Sequence, residues 1–234
     1  MLLFKSDADL FAQARTELYT AVIGDICDQL GLRHQFLAPQ IRPLQQGPGV
    51  PLLIGRAMTV LEADVFDDQS ASRVSDDERT LPFGRMLEAL DDLKQDEVYV
   101  CAGASTRYAL VGELMATAMK ARGAVGAVCE GYIRDSEGIL DLGFPVYSFG
   151  PYAQDQRGRG KVIDFRVPIE VSGIPVHPGD IVVADIDGVL VVPRDHETEV
   201  FERAFEKART ESTVRQAILE GMGAAEAFRT YGVL

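Results

Sequence analysis

The chain has 234 residues, 47% of them hydrophobic and 25% charged, with a formal net charge of −13. That balance fits a globular chain long enough to bury a real core, and argues against a disordered or fibrous one. The acidity sets the surface against phosphate backbones, so nucleic acid is not an expected partner. No run approaches the roughly 18 apolar residues of a membrane span.

The first residues, MLLFKSDADLFAQAR, meet acids early and hold no long apolar stretch, so no signal peptide is expected. Cys27, Cys101 and Cys129 are scattered in apolar runs without a CxxC, which reads as buried free thiols. Such usage suits a reducing compartment and makes a cytoplasmic location the expectation.

Residues 7–30 carry helical periodicity with a break near Thr20 and a stop at Gly31. Residues 32–53 are rich in Pro and Gly and read as loop, residues 54–63 as a strand, and the acidic residues 64–78 as a surface loop. Helical spacing returns over 83–93, followed by a buried strand at 97–101. Residues 112–122 place Leu114, Met115, Ala118 and Met119 on one helix face, with Gly123 as the stop.

A short apolar strand, 124–129, then leads to the loop Glu130-Gly131-Tyr132-Ile133-Arg134-Asp135. Further elements are a short helix at 136–142, strands at 145–149, 164–171 and 181–186, and a closing helix at 196–219. Asp187-Gly188 between apolar runs is a hairpin signal. The polar loop QDQRGRGK at 154–161 has no helix after it, so its glycines are a poor phosphate cradle. Strands interleaved with helices predict an α/β chain, read as a single domain over 1–234 with helical segments at both ends.

Twenty residues separate Glu113 from Arg134-Asp135. The start of one helix and the end of the next strand therefore present two acids and a guanidinium, where open α/β sheets form their sites. Residue by residue, each has a bland alternative. Asp135 is either a ligand for a hard divalent cation or the cap of the helix that follows. Arg134 is either a carboxylate-binding fork or half of an ion pair with Glu130 or Glu137. Glu113 can be a plain helix-start acid stabilised by the dipole. Asp25 and Asp28 can be surface acids, or Asp25 can contact the site, and His177, before a turn, reads as structural.

This acid, twenty-residue gap and Arg-Asp pair resembles the RraA-like family, which includes the class II 4-hydroxy-4-methyl-2-oxoglutarate / 4-carboxy-4-hydroxy-2-oxoadipate aldolases. The likeness extends to TAVIGDICDQLG at 20–31, IGRAMTV at 54–60, Pro178-Gly179-Asp180 and Asp185-Ile186-Asp187-Gly188-Val189. It implies a three-layer swivelling β/β/α domain, assembled as homotrimers or hexamers. It also implies a lyase that uses Mg²⁺ or Mn²⁺ to cleave a 4-hydroxy-2-oxo acid to pyruvate, with oxaloacetate decarboxylation as a side activity.

On that resemblance Asp135 holds the metal and Arg134 the substrate, while Glu113 positions a water. Gly112 and the amides of Leu114 and Met115 receive the substrate carboxylate, and Glu211 matches an acid supplied by a neighbouring subunit. Two departures stand out: Gly138 occupies a position where many family aldolases carry a further acid, and Glu113 often has Asp as its counterpart. The family also contains regulators that bind ribonuclease E without catalysis, and it carries an older methyltransferase label. The first needs no Glu-Arg-Asp arrangement, and for the second no Gly-rich strand-to-helix loop is present.

Overall fold

The computed structural model describes residues 4–45, 47, 49–66 and 83–233, so most of the acidic segment 64–78 lies outside the described residues. The elements in chain order are α1 (Asp7–Glu17), α2 (Thr20–Gln29), β1 (Arg42–Pro43), β2 (Leu53–Asp64), α3 (Met86–Asp92), β3 (Glu97–Ala102), β4 (Ala109–Val111), α4 (Glu113–Ala121), β5 (Gly126–Cys129) and β6 (Tyr132–Ile133). They continue with α5 (Ser136–Leu142), β7 (Val146–Ser148), β8 (Gly160–Phe165), β9 (Ile169–Val171), β10 (Ile174–Val176), β11 (Ile181–Asp185), β12 (Gly188–Val192), α6 (Glu197–Leu219) and α7 (Ala224–Tyr231).

An eight-stranded sheet runs β1-β7-β5-β3-β2-β11-β12, with β8 paired to the far half of β2. β2, β3, β5 and β7 are parallel, which is why β3 and β5 read as unbroken apolar runs: both of their faces are covered. Alternation along β2 divides the core. Ile54, Met58 and Val60 face the helices, whereas Leu53 and Ala57 face inward with Val98, Val100, Val128 and Tyr147.

The hairpin β9–β10 fills that inner side with Ile169, Val171, Ile174 and Val176. Helices α3, α4 and α5 cover one part of the outer face, and α1, α2 and α6 cover β11 and β12. Helix, sheet and hairpin are the three layers of the expected β/β/α arrangement. The sheet curls almost closed, because the residues before β1 bond to β12: Leu37 N–H donates to Val189 O at 2.9 Å and Val191 N–H to Gln35 O at 2.9 Å.

The break near Thr20 has a physical cause. Asp185, at the end of β11, accepts from Thr20 N at 2.8 Å, Thr20 Oγ1 at 2.7 Å and Asp187 N at 2.9 Å. One buried carboxylate thus fixes both the start of α2 and the β11–β12 turn. Asp185→Ala strands these donors and is expected to destabilise the fold by about 3 kcal/mol. The urea midpoint reads it, and an unchanged midpoint would mean the strap is dispensable.

The fold departs from the sequence pattern in several places. The strand expected at 164–171 is two strands in different sheets, because Arg166 turns the chain at φ 55°. β8 begins at Gly160, inside what read as loop. The turn after β11 is Ile186-Asp187, and Gly188 already pairs in β12. The parallel pair β4–β6, the strand β10 and the helix α7 were not anticipated.

Candidate active site

The short pair β4–β6 brings the two halves of the motif together. Arg134 N–H donates to Val111 O at 2.9 Å, so the residue after β6 is pinned beside the last residue of β4, one residue short of the cap of α4. Asp135 adopts a left-handed conformation, φ 57° and ψ 39°, which Asp tolerates better than most residues. Its side chain makes no capping bond to α5. It turns instead toward α4, where its Oδ2 accepts from Glu113 N at 3.3 Å and lies 3.6 Å from Arg134 Nε. The capping alternative is therefore not what the carboxylate does.

Gly112 is the cap of α4, and a Cβ there would stand 2.7 Å from Asp135 Oδ2. Glycine at this position is what lets the carboxylate approach the helix start. The first amide to bond back within α4 is that of Ala116, onto Gly112 O at 3.0 Å, so the amides of Leu114 and Met115 lie in the open first turn.

Arg134 pairs with neither Glu130 nor Glu137. Its Nη1 lies 3.3 Å from Asp155 Oδ1, while Glu130 accepts from Ser172 N at 2.6 Å and Ser172 Oγ at 2.9 Å. Asp155 and its neighbour Gln156 come from the 154–161 segment, which reads as a polar Gly/Arg loop without a site role. Their only sequence signal was an acid and an amide beside the arginine-rich turn.

Gly112, Leu114, Met115, Arg134, Asp135, Asp155 and Gln156 all line one cavity of about 330 Å³. That volume lies at the small end of ligand pockets. Behind it, Gln156 Nε2 donates at 2.5 Å to Glu62 Oε2, and Glu62 is only 2% exposed. Burial pushes the Glu62 carboxyl up to about 8, against the opposing hydrogen bonds of Gln156 and Cys101.

Two expected members sit elsewhere. The Glu113 carboxylate is not part of the cavity lining. It lies over Gly138 of α5, where a Cβ would fall 2.5 Å from Glu113 Oε2. Glu211, in α6, accepts from the Tyr19 hydroxyl and lies 3.5 Å from Lys207 Nζ. Burial, then that hydrogen bond, raises the Tyr19 hydroxyl to about 12. Asp25 pairs with the same Lys207. Within one chain neither Glu211 nor Asp25 reaches the cavity lining.

Among the described residues no three His, Cys, Asp or Glu side chains converge as a metal-ligand group. The donors at this end of the cavity are carboxylate oxygens, with no imidazole or thiolate. Such a set is the kind a hard cation that keeps several waters takes, and Asp135 is the candidate ligand in it.

A mixed α/β chain with a curled sheet, carrying an arginine and carboxylates at the mouth of a small cavity, is the class of protein so defined. The Aldolase/RraA family model, RraA-like, matches residues 20–191, and the chain belongs to that family. A Halalkalibacterium halodurans protein, provisionally named a 4-hydroxy-4-methyl-2-oxoglutarate aldolase, is 30% identical over 226 residues, 96% of this chain and 95% of its own length. An uncharacterized protein from Pseudomonas syringae pv. tomato aligns with a TM-score of 0.80 and 27% identity, covering 99% of this chain and 97% of that one. Streptomyces coelicolor RraAS2, described as an unusual member of the RNase ES inhibitor RraA family, shares the fold at a TM-score of 0.74 and 24% identity, over 90% of this chain and 97% of its own. No described helix is long and apolar enough to cross a membrane.

Proposed function

We propose that this chain is a divalent-metal-dependent lyase that cleaves a 4-hydroxy-2-oxo acid to pyruvate, and that it decarboxylates oxaloacetate as a side activity. The observation that carries the reading is the meeting of Arg134, Asp135 and the open first turn of α4 at one end of one cavity. The provisional name of the Halalkalibacterium halodurans relative supports it.

The amides of Leu114 and Met115 bind the substrate carboxylate, helped by the positive end of the α4 dipole. Arg134 holds the 2-oxo oxygen with its planar fork. Mg²⁺ or Mn²⁺ held through Asp135 would act as a Lewis acid on the 2-oxo group. A water takes the proton of the 4-hydroxyl; its positioning is assigned to Glu113 on the family resemblance, from a carboxylate that lies over Gly138 outside the cavity lining. The C3–C4 bond breaks, its electron pair moves to C3 to give the pyruvate enolate, and C4 leaves as a carbonyl. Arg134 stabilises the charge on the enolate oxygen until C3 is protonated. Loss of CO₂ from oxaloacetate generates the same enolate.

Glu211 is engaged by Tyr19 and Lys207 in its own chain. A role for it at the cavity therefore requires a neighbouring copy in a trimer or hexamer. The regulator reading is supported by the family model, which covers RraA proteins as well as aldolases, and by the fold likeness to RraAS2, but it makes no use of the Arg134–Asp135 arrangement.

Pyruvate release from oxaloacetate and from 4-hydroxy-4-methyl-2-oxoglutarate, with Mg²⁺ and again with EDTA, tests the proposal. Metal-dependent pyruvate from oxaloacetate is expected. No pyruvate from either by folded, Mg²⁺-supplied protein would overturn the lyase reading.

The position of Glu113 has its own test. Gly138→Ala puts a methyl group where the Glu113 carboxylate lies, while replacing a helix-interior glycine by a better helix former. The fold should hold. Turnover is expected to fall by up to about 100-fold if the water depends on this placement. Full activity would remove that placement of Glu113 from the mechanism.

A further inference from the structure

The segment that brings Asp155 to Arg134 is tied down along its length. Ala109 N–H donates to Gln154 O at 2.8 Å, and Val65 N–H donates to Arg159 O at 2.8 Å. Between these backbone ties, Gln156 Nε2 donates to Glu62 Oε2 at 2.5 Å. This side-chain bond is made away from solvent, since Gln156 is 4% exposed and Glu62 2%. Asp155 stands directly before Gln156. Its Oδ1 lies 3.3 Å from Arg134 Nη1, while Asp135 Oδ2 lies 3.6 Å from Arg134 Nε. Two carboxylates therefore set the direction of the guanidinium fork, and one of them depends on the tie at Gln156.

Glu62 belongs to the face of β2 that carries the buried Met58 and Val60. An apolar side chain there would join that core. Replacing both members of a buried hydrogen-bonded pair by apolar groups of the same shape is nearly neutral or stabilising. Stability alone does not call for an acid and an amide at these two positions. What the pair supplies is placement, because a polar bond in a low-dielectric interior is strong and rigidifies what it joins. Here it joins the central sheet to the neighbour of Asp155.

We propose that Glu62 is a positioning residue for the cleavage: through Gln156 it holds Asp155, and with Asp155 the Arg134 fork, where the enolate oxygen develops. This role rests on the lyase reading above. It needs only an acceptor oxygen at the end of the Glu62 side chain.

Glu62→Met/Gln156→Met removes both partners at nearly constant shape. Its urea midpoint is expected to equal or exceed the parent's. Its kcat with oxaloacetate is expected to fall about 10-fold, well within the cost of a small misplacement at a reacting centre. Glu62→Gln, whose amide oxygen still accepts from Gln156, should keep most of the turnover. Asp155→Asn, at a side chain that is 41% exposed, should lose turnover by a similar factor. In the Asp155→Asn background the double change should cost little more, because both act on Arg134 by one route.

A parent-like kcat in the folded double variant overturns the proposal. Should that variant fail to fold, a parent-like kcat in Asp155→Asn overturns it instead. Calorimetry with Mg²⁺ and oxalate, a planar mimic of the pyruvate enolate, runs alongside. Oxalate binding about 10-fold weaker in the double variant, with no pyruvate from any form, would overturn the lyase reading and leave Glu62 as the residue that positions Arg134. Equal oxalate binding by parent and double variant, or none by either, overturns the positioning role.

Discussion

Replacing Arg134 by alanine is expected to cut pyruvate release by about 100-fold or more, the usual cost of losing one preorganised donor to a developing oxyanion. The melting temperature should barely move. The side chain is 37% exposed, and its partners Asp155 and Asp135 are ion pairs open to solvent, a kind that contributes no more than about 1 kcal/mol each. Lysine keeps the charge but not the planar fork, so Arg134→Lys should recover little. Steady-state pyruvate assays and thermal unfolding of the three proteins check this together. An alanine variant that kept most of its activity would take Arg134 out of the chemistry.

The second large effect concerns stability and pH. Glu62 is buried, with Oε1 unpartnered and Oε2 accepting from Gln156. Its carboxyl titrates at about 8 in the fold, against an ordinary 4.5. The folded chain therefore keeps this proton between those values while the unfolded chain releases it. The stability so contributed is complete below about 4.5 and is lost as pH rises through about 8. Within that window the loss approaches about 1.4 kcal/mol per pH unit.

Glu62→Gln keeps the shape and removes the titration. Its stability relative to the parent should rise by a few kcal/mol between pH 5 and pH 8, read by urea unfolding of both proteins at each pH. Parallel pH dependences would mean that Glu62 ionises freely in the fold.

The parts of this molecule visible in its sequence are those governed by local pattern. The run EVYVCA could only be a covered strand, and Gly123 and Gly143 end helices in left-handed conformations as their positions suggest. The Glu113 to Arg134-Asp135 spacing foretold that a helix start and a loop would meet, because a parallel βαβ crossover returns the chain to the same sheet edge.

What stayed hidden depends on pairing across long separations. β4 and β6 are three and two residues long, and nothing in either segment announces the other. Asp155 reaches the site because the 154–161 loop folds back over β4, with Ala109 N–H donating to Gln154 O at 2.8 Å. The acid at Glu62 sits in a strand that reads as apolar, on the same face as the buried Met58 and Val60.

The contact of Glu113 with Gly138 carries a consequence for descent. The long acid of α4 occupies the space a side chain on α5 would need, so the two positions are coupled. A side chain gained at 138 makes the acid at 113 turn away or shorten. Across relatives of this chain, glutamate at the first position should therefore travel with glycine at the second.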